Sequence, residues 1–524
     1  MPQAYQPVQA THRARNNSRD VNPLEATLGI RRHEVSPTLV LLTVSVCTML
    51  YALTLTIVNV ILPQLQGALS ASPEQISWVV TLNVIATAVA TPATGWFVSK
   101  WGQRKVMLWA VAGFSLASLA CATADTLVPL LIYRIAQGAF GAPLMPISQA
   151  LIVAIYPPEK RAFAQSIFGM AVVIGPAVAP AVGGYVAEEY NWRWVFLLVL
   201  PMCVVAFIAV FLFIRDLPRG PSAKLDWTGF IAISLLITAA QLIMDRGERL
   251  DWFESYEILF YVALMALSAW VFAIHTTTHP HPFINPQLFK DRNFVIGLLL
   301  VFVYGMLNIT PTVLMPSMLQ NLMGYPDSMV GMILGARGLG MALGFLMVGF
   351  MGKIDPRVGM IAGIAAIGLA GWHMSTFTLE VDPWTVALNG FLQGVGSGLC
   401  WVPLSIVAFA SLPLHLLSDA SSLFHLLRNF GSSIFISISI LAVVRSGRTS
   451  YSELTQHINP YTETAALPQV SGLWSFDTVA GLAVLESEIN RQATMLGYMN
   501  SFTMYALVAF AAIPVMLMVR IKTR

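Results

Sequence analysis

The sequence predicts an all-α integral membrane protein of fourteen transmembrane helices. Three observations carry this prediction. The residues Ala, Val, Ile, Leu, Met, Phe, Trp, Tyr and Cys make up 56% of the 524-residue chain, and the mean hydropathy is +0.70. Asp, Glu, Lys and Arg make up only 10%, against about 25% in soluble domains. The apolar residues also fall into runs near the ~20 residues that a helix needs to cross the hydrocarbon, without the period-two alternation of barrel strands. A soluble enzyme, a disordered chain and a nucleic-acid binder are thereby excluded. A net charge of +3 matters less than where the positives sit.

Residues 1–37 are polar and carry Arg13, Arg15, Arg19, Arg31 and Arg32. They lack the short apolar core and small-residue cleavage site of a signal peptide. The segment therefore reads as a cytosolic tail, and the first span as an uncleaved anchor. The N-terminal spans are expected at 38–63, 76–98, 106–124, 128–150, 162–185 and 194–214. Two more follow at 227–244 and 257–275, then six at 293–316, 328–350, 358–378, 384–410, 421–444 and 498–518. Each must be helical, because the bilayer core offers no water to pair with backbone polar groups.

The basic residues test this count. With fourteen spans, twenty Lys and Arg fall on the side of the termini, six on the other side, and three within spans. A wrong count would scramble the bias, so the positive-inside rule places both termini in the cytoplasm. Cys47, Cys121, Cys203 and Cys400 all lie in apolar runs and read as buried thiols, with no disulfide and no metal site. His275, His279 and His281, among Pro280, Pro282 and Pro286, read as a turn-rich connector rather than a metal centre.

Two patterns recur. Gly95-Trp-Phe-Val-Ser-Lys-Trp-Gly-Gln-Arg-Lys105 after the second span matches Gly349-Phe-Met-Gly-Lys-Ile-Asp-Pro-Arg357 after the tenth, at an offset of 254. Arg134-Ile-Ala-Gln-Gly138 and Pro146-Ile-Ser148 match Phe391-Leu-Gln-Gly394 and Pro403-Leu-Ser405, at offsets of 256 and 257. Spans 1–6 therefore repeat as spans 9–14. The expected organisation is a tail (1–37), an N-terminal six-helix bundle (38–219), two inserted helices (220–290) and a C-terminal six-helix bundle (291–524). The last includes a periplasmic loop at 445–497, helical in part over 477–495. Repeated bundles with a site between them are a transporter architecture.

From about residue 38 to 518 the chain resembles the major facilitator superfamily, in its fourteen-span drug:proton antiporter (DHA2) branch, and within that the EmrB-type multidrug efflux permeases. The loop after span two is similar to the signature G-x-x-x-D-x-x-G-x-R/K-R/K. Arg134-x-x-Gln137-Gly138 is similar to the fourth-span arginine motif, and Ile174-Gly-Pro-Ala-Val-Ala-Pro-Ala-Val-Gly-Gly184 to the fifth-span antiporter motif. Thr56-Ile-Val-Asn-Val-Ile-Leu-Pro63, Asn191-Trp-Arg-Trp-Val-Phe196 and Asp245-Arg-Gly-Glu-Arg-Leu-Asp-Trp252 are also typical of the branch. The resemblance implies a secondary active efflux permease of the bacterial inner membrane. It would work by alternating access, with the proton as coupling ion and no other cofactor. Its partners would be small hydrophobic substrates, the bilayer, a periplasmic adaptor (membrane fusion) protein and an outer-membrane channel.

The resemblance assigns roles residue by residue. Gly95, Ser99, Gly102, Arg104 and Lys105 form a gating loop, whose cations bind carbonyls or carboxylates at neighbouring helix ends. Ser99 stands where the family carries Asp. Gly175, Pro176, Pro180, Gly183 and Gly184 form a hinge and seal between the halves, or serve helix packing alone. Arg134, Arg337, His425 and Arg428 are expensive inside a membrane, roughly 2.5–3.5 kcal/mol per charge on insertion scales, so each faces a cavity or a partner, or acts as helix glue. Thr54, Asn59, Asn83, Gln137 and Gln393 line the path or tie helices together.

Acids are missing where relatives have them. Thr54 replaces the first-span Asp, and Tyr498-Met-Asn-Ser-Phe502 replaces a Tyr-x-Asp-Asp-Phe pattern. Asp226, Asp245, Glu188, Glu189, Glu380 and Asp382 lie at span ends, and no acid is found at mid-membrane. A net-positive path favours anionic or weakly acidic amphiphiles. It also points to indirect or weakened proton coupling, through His425, a span-end acid or the substrate's own proton. An uptake or lipid-type carrier on the same fold is the alternative. No G-x-x-x-x-G-K-S/T loop for ATP occurs, and no nucleophile with a base suggests an enzyme.

Overall fold

The computed structural model describes residues 36–216, 225–280, 282–350, 355–458, 476 and 478–519. Seventeen α-helices fill the described residues. The N-terminal half comprises α1 (Pro37–Val60), α2 (Leu62–Ala68), α3 (Pro73–Trp101), α4 (Gln103–Ala122), α5 (Leu127–Gly141), α6 (Leu144–Ile155), α7 (Pro158–Glu189), α8 (Trp192–Leu197) and α9 (Val199–Phe213). Next come the inserted helices α10 (Trp227–Arg246) and α11 (Tyr256–Thr278). The C-terminal half comprises α12 (Arg292–Asn321), α13 (Asp327–Phe350), α14 (Pro356–Met374), α15 (Pro383–Phe409), α16 (Leu417–His457) and α17 (Val479–Leu517).

Thirteen helical segments are long and apolar enough to cross a membrane, and the 32-residue α7 takes the expected fifth place. Two spans are each built from two helices. Pro143 separates α5 from α6, and Pro201 withholds the N–H that the Leu197 carbonyl would accept, between α8 and α9. Polar residues stop and start helices at the membrane edges. Ser72 and Gln75 form a reciprocal capping box at the start of α3, and Asp226, Asp291, Asp355 and Asp382 cap α10, α12, α14 and α15. These side chains accept otherwise orphaned N–H groups and place negative charge at helix N-termini.

One expectation is corrected. The expected 445–497 loop is mostly helix: α16 runs on to His457 and α17 begins at Val479, so both extend beyond the expected spans. They pack as an antiparallel pair, with the Asn500 amide donating to Ser446 Oγ and Gly497 lying against the Val443 carbonyl. Residues 459–475 and 477, the middle of the expected loop, lie outside the described residues, as does the 1–35 part of the expected tail.

The halves meet along two seams, α3 with α16 and α7 with α13. In repeat terms, span 2 meets span 13 and span 5 meets span 10. That reciprocal swap is what two copies of one bundle related by a pseudo-two-fold axis produce. The inserted α10 packs against both α3 and α16: Thr81 Oγ1 donates to Asp245 Oδ2 (2.7 Å), and Ser437 Oγ donates to the Met244 carbonyl. Helix α11 is covered mainly by α10, and only Ile258 and Ser268 of its residues are buried.

The inserted pair is knotted by Asp226. Its carboxylate accepts the Gly229 N–H (2.9 Å), the Phe283 N–H (3.0 Å) and a bond from His275 Nε2 (2.7 Å). Burial pushes this carboxyl up, but the three bonds outweigh it and hold it below the usual carboxylate range. His279 stacks on His275 with ring centroids 4.9 Å apart, so Asp226, His275 and His279 bring ligand-type atoms within 4.8 Å of one another. The histidine spacing did not show this grouping, because Asp226 is 49 positions away. His281 lies outside the described residues. The four cysteines are buried and unpaired.

The tightest helix pair is α13 on α15. A methyl on Gly340, Gly394 or Gly398 would overlap a backbone carbonyl of Phe391, Arg337 or Met341, so the small residues set the helix separation. Gly398→Val should therefore lower stability by about 1–3 kcal/mol, the usual range for overpacking. The measurement is thermal unfolding of purified protein in detergent, and an unchanged midpoint would contradict the close approach.

Candidate functional site

Two of the three membrane arginines, Arg134 and Arg337, sit in polar knots that occupy equivalent places in the halves. In the N-terminal half, Arg134 on α5 is almost fully buried. Its Nε donates to the Val79 carbonyl (3.0 Å) and its Nη1 to Gln137 Oε1. Gln137 Nε2 donates to Ser118 Oγ (2.7 Å), and Asn83 Nδ2 donates back to the Arg134 carbonyl (2.8 Å). A methyl on Gly138 would overlap the Asn83 carbonyl, so α5 and α3 approach backbone to backbone there.

In the C-terminal half the arginine has moved to another helix. Asn83 and Arg337 are 254 residues apart, and Gln137 and Gln393 are 256 apart. Arg337 on α13 thus takes the Asn83 position and reaches the equivalent glutamine. Its Nε donates to Gln393 Oε1 (2.9 Å), and its Nη2 donates to Asn308 Oδ1 (2.8 Å) and the Asn308 carbonyl. Gln393 Nε2 donates to Tyr505 Oη (2.8 Å), which donates to the Leu307 carbonyl (2.9 Å). Asn308 is itself 254 residues from Thr54. Thr54 bonds only to its own helix, donating to the Leu50 carbonyl (2.9 Å). No carboxylate joins either knot among the described residues.

His425 and Arg428 lie on α16, at the interface with α6 of the other half. Arg428 donates to Asn429 Oδ1 (2.9 Å), lies 5.5 Å from the Trp401 ring centre, and contacts Met145 Sδ across the interface at 3.6 Å. His425 is buried with neither ring nitrogen hydrogen-bonded, between Trp401 (5.9 Å) and Phe424 (5.8 Å). Tyr304 lies tilted against Trp401, with ring centres 5.2 Å apart. Ser421 and Gln149 are likewise buried without partners. Asn59, by contrast, is exposed near the end of α1.

The gating loop divides its work. Gly102 joins α3 to α4 at φ = 86°, a left-handed geometry that favours glycine. Arg104 pins the loop to its own half: its N–H donates to Asp216 (3.0 Å), its Nη2 to the Phe211 carbonyl (2.5 Å), and its guanidinium lies over the Phe211 ring (4.9 Å). Ser99 Oγ donates to the Trp96 carbonyl (2.8 Å), and Lys105 is exposed. Gly95 touches the other half, at Asp419 at the start of α16. Asp419 stands two residues before the expected thirteenth span, outside the apolar pattern that marks it.

Two of the fifth-span motif glycines pack within their own half. Gly175 lies against Met49 and Leu53, and Gly183 against Ile57, all on α1 of the same half. Helix α7 continues unbroken through Pro176 and Pro180, with Gly184 half-buried. The seam contact is nearer the start of α7, where Gly169 meets Phe345 and Ser166 meets Gly349 of α13.

These features have counterparts among known proteins. The description "Major Facilitator Superfamily" matches residues 44–436. The chain belongs to the Major Facilitator Superfamily. Within it, this is an EmrB-type permease: it is 31% identical over 432 residues to the multidrug export protein EmrB of Escherichia coli (strain K12), covering 82% of this chain and 84% of that one. It is 30% identical over 487 residues to the fatty acid resistance protein FarB of Neisseria gonorrhoeae, covering 91% and 94%. The fold is similar to the crystal structure of the human organic anion transporter MFSD10 (TETRAN), with a TM-score of 0.60 at 13% identity, covering 92% of this chain and 99% of that chain.

The second knot yields a test. Lys at 337 keeps the charge but lacks the planar fork that spans Gln393 and Asn308. Losing one charge-assisted bond, about 1.5–3 kcal/mol, predicts a fall in transport of roughly tenfold or more for Arg337→Lys at unchanged membrane expression. Native transport by that variant would show that the charge alone suffices.

Proposed function

We propose that the chain is a secondary active efflux permease that exports anionic or weakly acidic amphiphiles by alternating access. The observation that carries this reading is the charge of the three membrane arginines. Arg134, Arg337 and Arg428 bring three cations into the membrane, and their side chains pair with amides, carbonyls and rings rather than with carboxylates. A path lined this way retains positive potential in a medium that screens little, and attracts a carboxylate or phenolate head. The aromatic group of Tyr304, Trp401 and Phe424 offers an apolar partner for the tail. Resistance to fatty acids, the property for which FarB is named, is resistance to a weakly acidic amphiphile.

On this reading the basic side of the membrane is the cytoplasm, as the distribution of Lys and Arg implies. The contacts between halves at Gly95, Ser166, Gly169 and Gly349 lie at helix ends on that side. Towards the opposite ends, a methyl on Gly331 or Gly335 of α13 would meet nothing within 4 Å. Both facts suit a conformation closed to the cytoplasm. The projecting α16 and α17 ends, with Val479, Leu482 and Val484 exposed, are a docking element for a periplasmic adaptor of a tripartite pump.

Drug accumulation in cells, measured with anionic and cationic amphiphiles of matched size, tests the substrate class. We expect the anionic series to be exported, and export of cations alone would refute the reading. Flux into proteoliposomes under an imposed pH gradient tests the energy source. We expect flux to follow the gradient, with coupling weakened in His425→Ala; tight coupling in that variant would remove His425 from the scheme.

A further inference from the structure

Asp419 sits in the first turn of α16, with its carboxylate on Gly95 of α3 so closely that a methyl at 95 would overlap it. Among the described residues it makes no hydrogen bond and no ion pair. It lines a cavity of ≈ 20 Å³ with Pro92, Trp96, Phe283, Leu288 and Ser422, room for one water molecule.

The opposite seam shows what is unusual here. There Gly349 faces Ser166 Oγ at 3.4 Å, and that hydroxyl is satisfied by the Ala162 carbonyl (2.8 Å). One seam closes on a satisfied hydroxyl and the other on an unpartnered carboxyl. The carboxyl also lies beside the loop whose expected acid is Ser99. Of the elements packed against α16, α10 is capped by Asp226, which is bonded to His275, and α12 by Asp291, followed by Arg292, which donates to the Met518 carbonyl. Lys100 on α3 lies over the Trp96 ring at 4.7 Å. Lys290 ends the 3₁₀ turn Pro286–Lys290, His415 precedes α16, and α6 carries none. None of them pairs with Asp419.

We propose that Asp419 is the proton-exchanging acid of the gate on the basic side. This rests on the alternating-access reading above. A half-buried carboxylate pressed on the Gly95 backbone without a partner is disfavoured against the neutral acid, so the seam closes on the protonated form. When α3 and α16 part, water reaches the carboxyl, its O–H bond breaks heterolytically, and the proton passes to water on that side. Before the seam closes again, the carboxylate takes a proton back from water. The opposite helix thereby supplies the acid that Ser99 does not. Ser422, in the same cavity, and Ser421 and His425, buried without partners, continue a polar strip along α16 toward Arg428.

The test measures the gate itself. Spin labels are placed at exposed Trp101 and His415, after replacing the four cysteines with alanine, and their separation is read by pulsed electron resonance in lipid nanodiscs. With Asp419 present, the labels should lie close together at acid pH and separate as pH rises through about 6, to which burial pushes this carboxyl up. Asp419→Asn, neutral and nearly isosteric, should hold the short separation at every pH, and Asp419→Glu should restore the response. An Asp419→Asn chain that follows pH as the native chain does would overturn the proposal. So would a native separation that moves with a long-chain fatty acid but not with pH, and that result leaves alternating access standing. A native separation that neither treatment moves would overturn both.

Discussion

Burial of cationic side chains where no water can pair with them is the constraint on which the rest depends. A guanidinium has five donors and no acceptor, and inside a bilayer each donor must find an oxygen within the protein. Arg134 and Arg337 meet that demand by reaching across to other helices, to Val79 on α3 and Asn308 on α12, and by drawing a glutamine on α5 or α15 into line. The same demand brings Asn83, Ser118 and Tyr505 into place. Each bundle is thus tied at mid-membrane by a polar knot, surrounded by close glycine contacts at Gly138 and Gly394.

The halves have diverged by moving one residue type. The glutamine stays at equivalent positions, while its arginine comes from α5 in one half and from α13 in the other. The knot is conserved in chemistry rather than in residue order. An argument from sequence that looks for the Arg-x-x-Gln spacing in the second half finds Gly390 at the matching place and stops there. The spatial neighbour that restores the pair lies 56 positions earlier.

The seams are lighter than the knots. Within a half, helices interlock through carbonyls and small residues. Between halves, the contacts among the described residues include a glycine on a carboxyl, a glycine on a phenyl ring, a glycine near a hydroxyl, an arginine on a thioether and apolar packing. Such contacts leave the halves able to part without breaking a strong bond. The inserted α10 bridges the α3–α16 seam through one threonine–aspartate bond and one serine–carbonyl bond, which allows it to follow either side.

The sequence alone determined the helix count, the order of the spans, the repeat and the family. Each follows from local physics: a run of apolar residues must be a helix in lipid, and a charged or capping residue must mark its end. Pro37, Pro73, Asp226, Asp291, Asp355 and Asp382 all stand within three residues of the starts that the pattern predicted. Tertiary structure decided which polar groups meet. The Asp226–His275 bond, the Arg337–Gln393 pair, the packing of Gly175 on α1 and the contact of Asp419 with Gly95 join residues dozens to hundreds of positions apart. It also decided where the last two long helices end, because α16 and α17 shelter each other beyond the apolar stretch. Hydropathy registers the cost of leaving water, residue by residue. The partners that offset that cost are set by the packing of whole helices, and no local pattern encodes them.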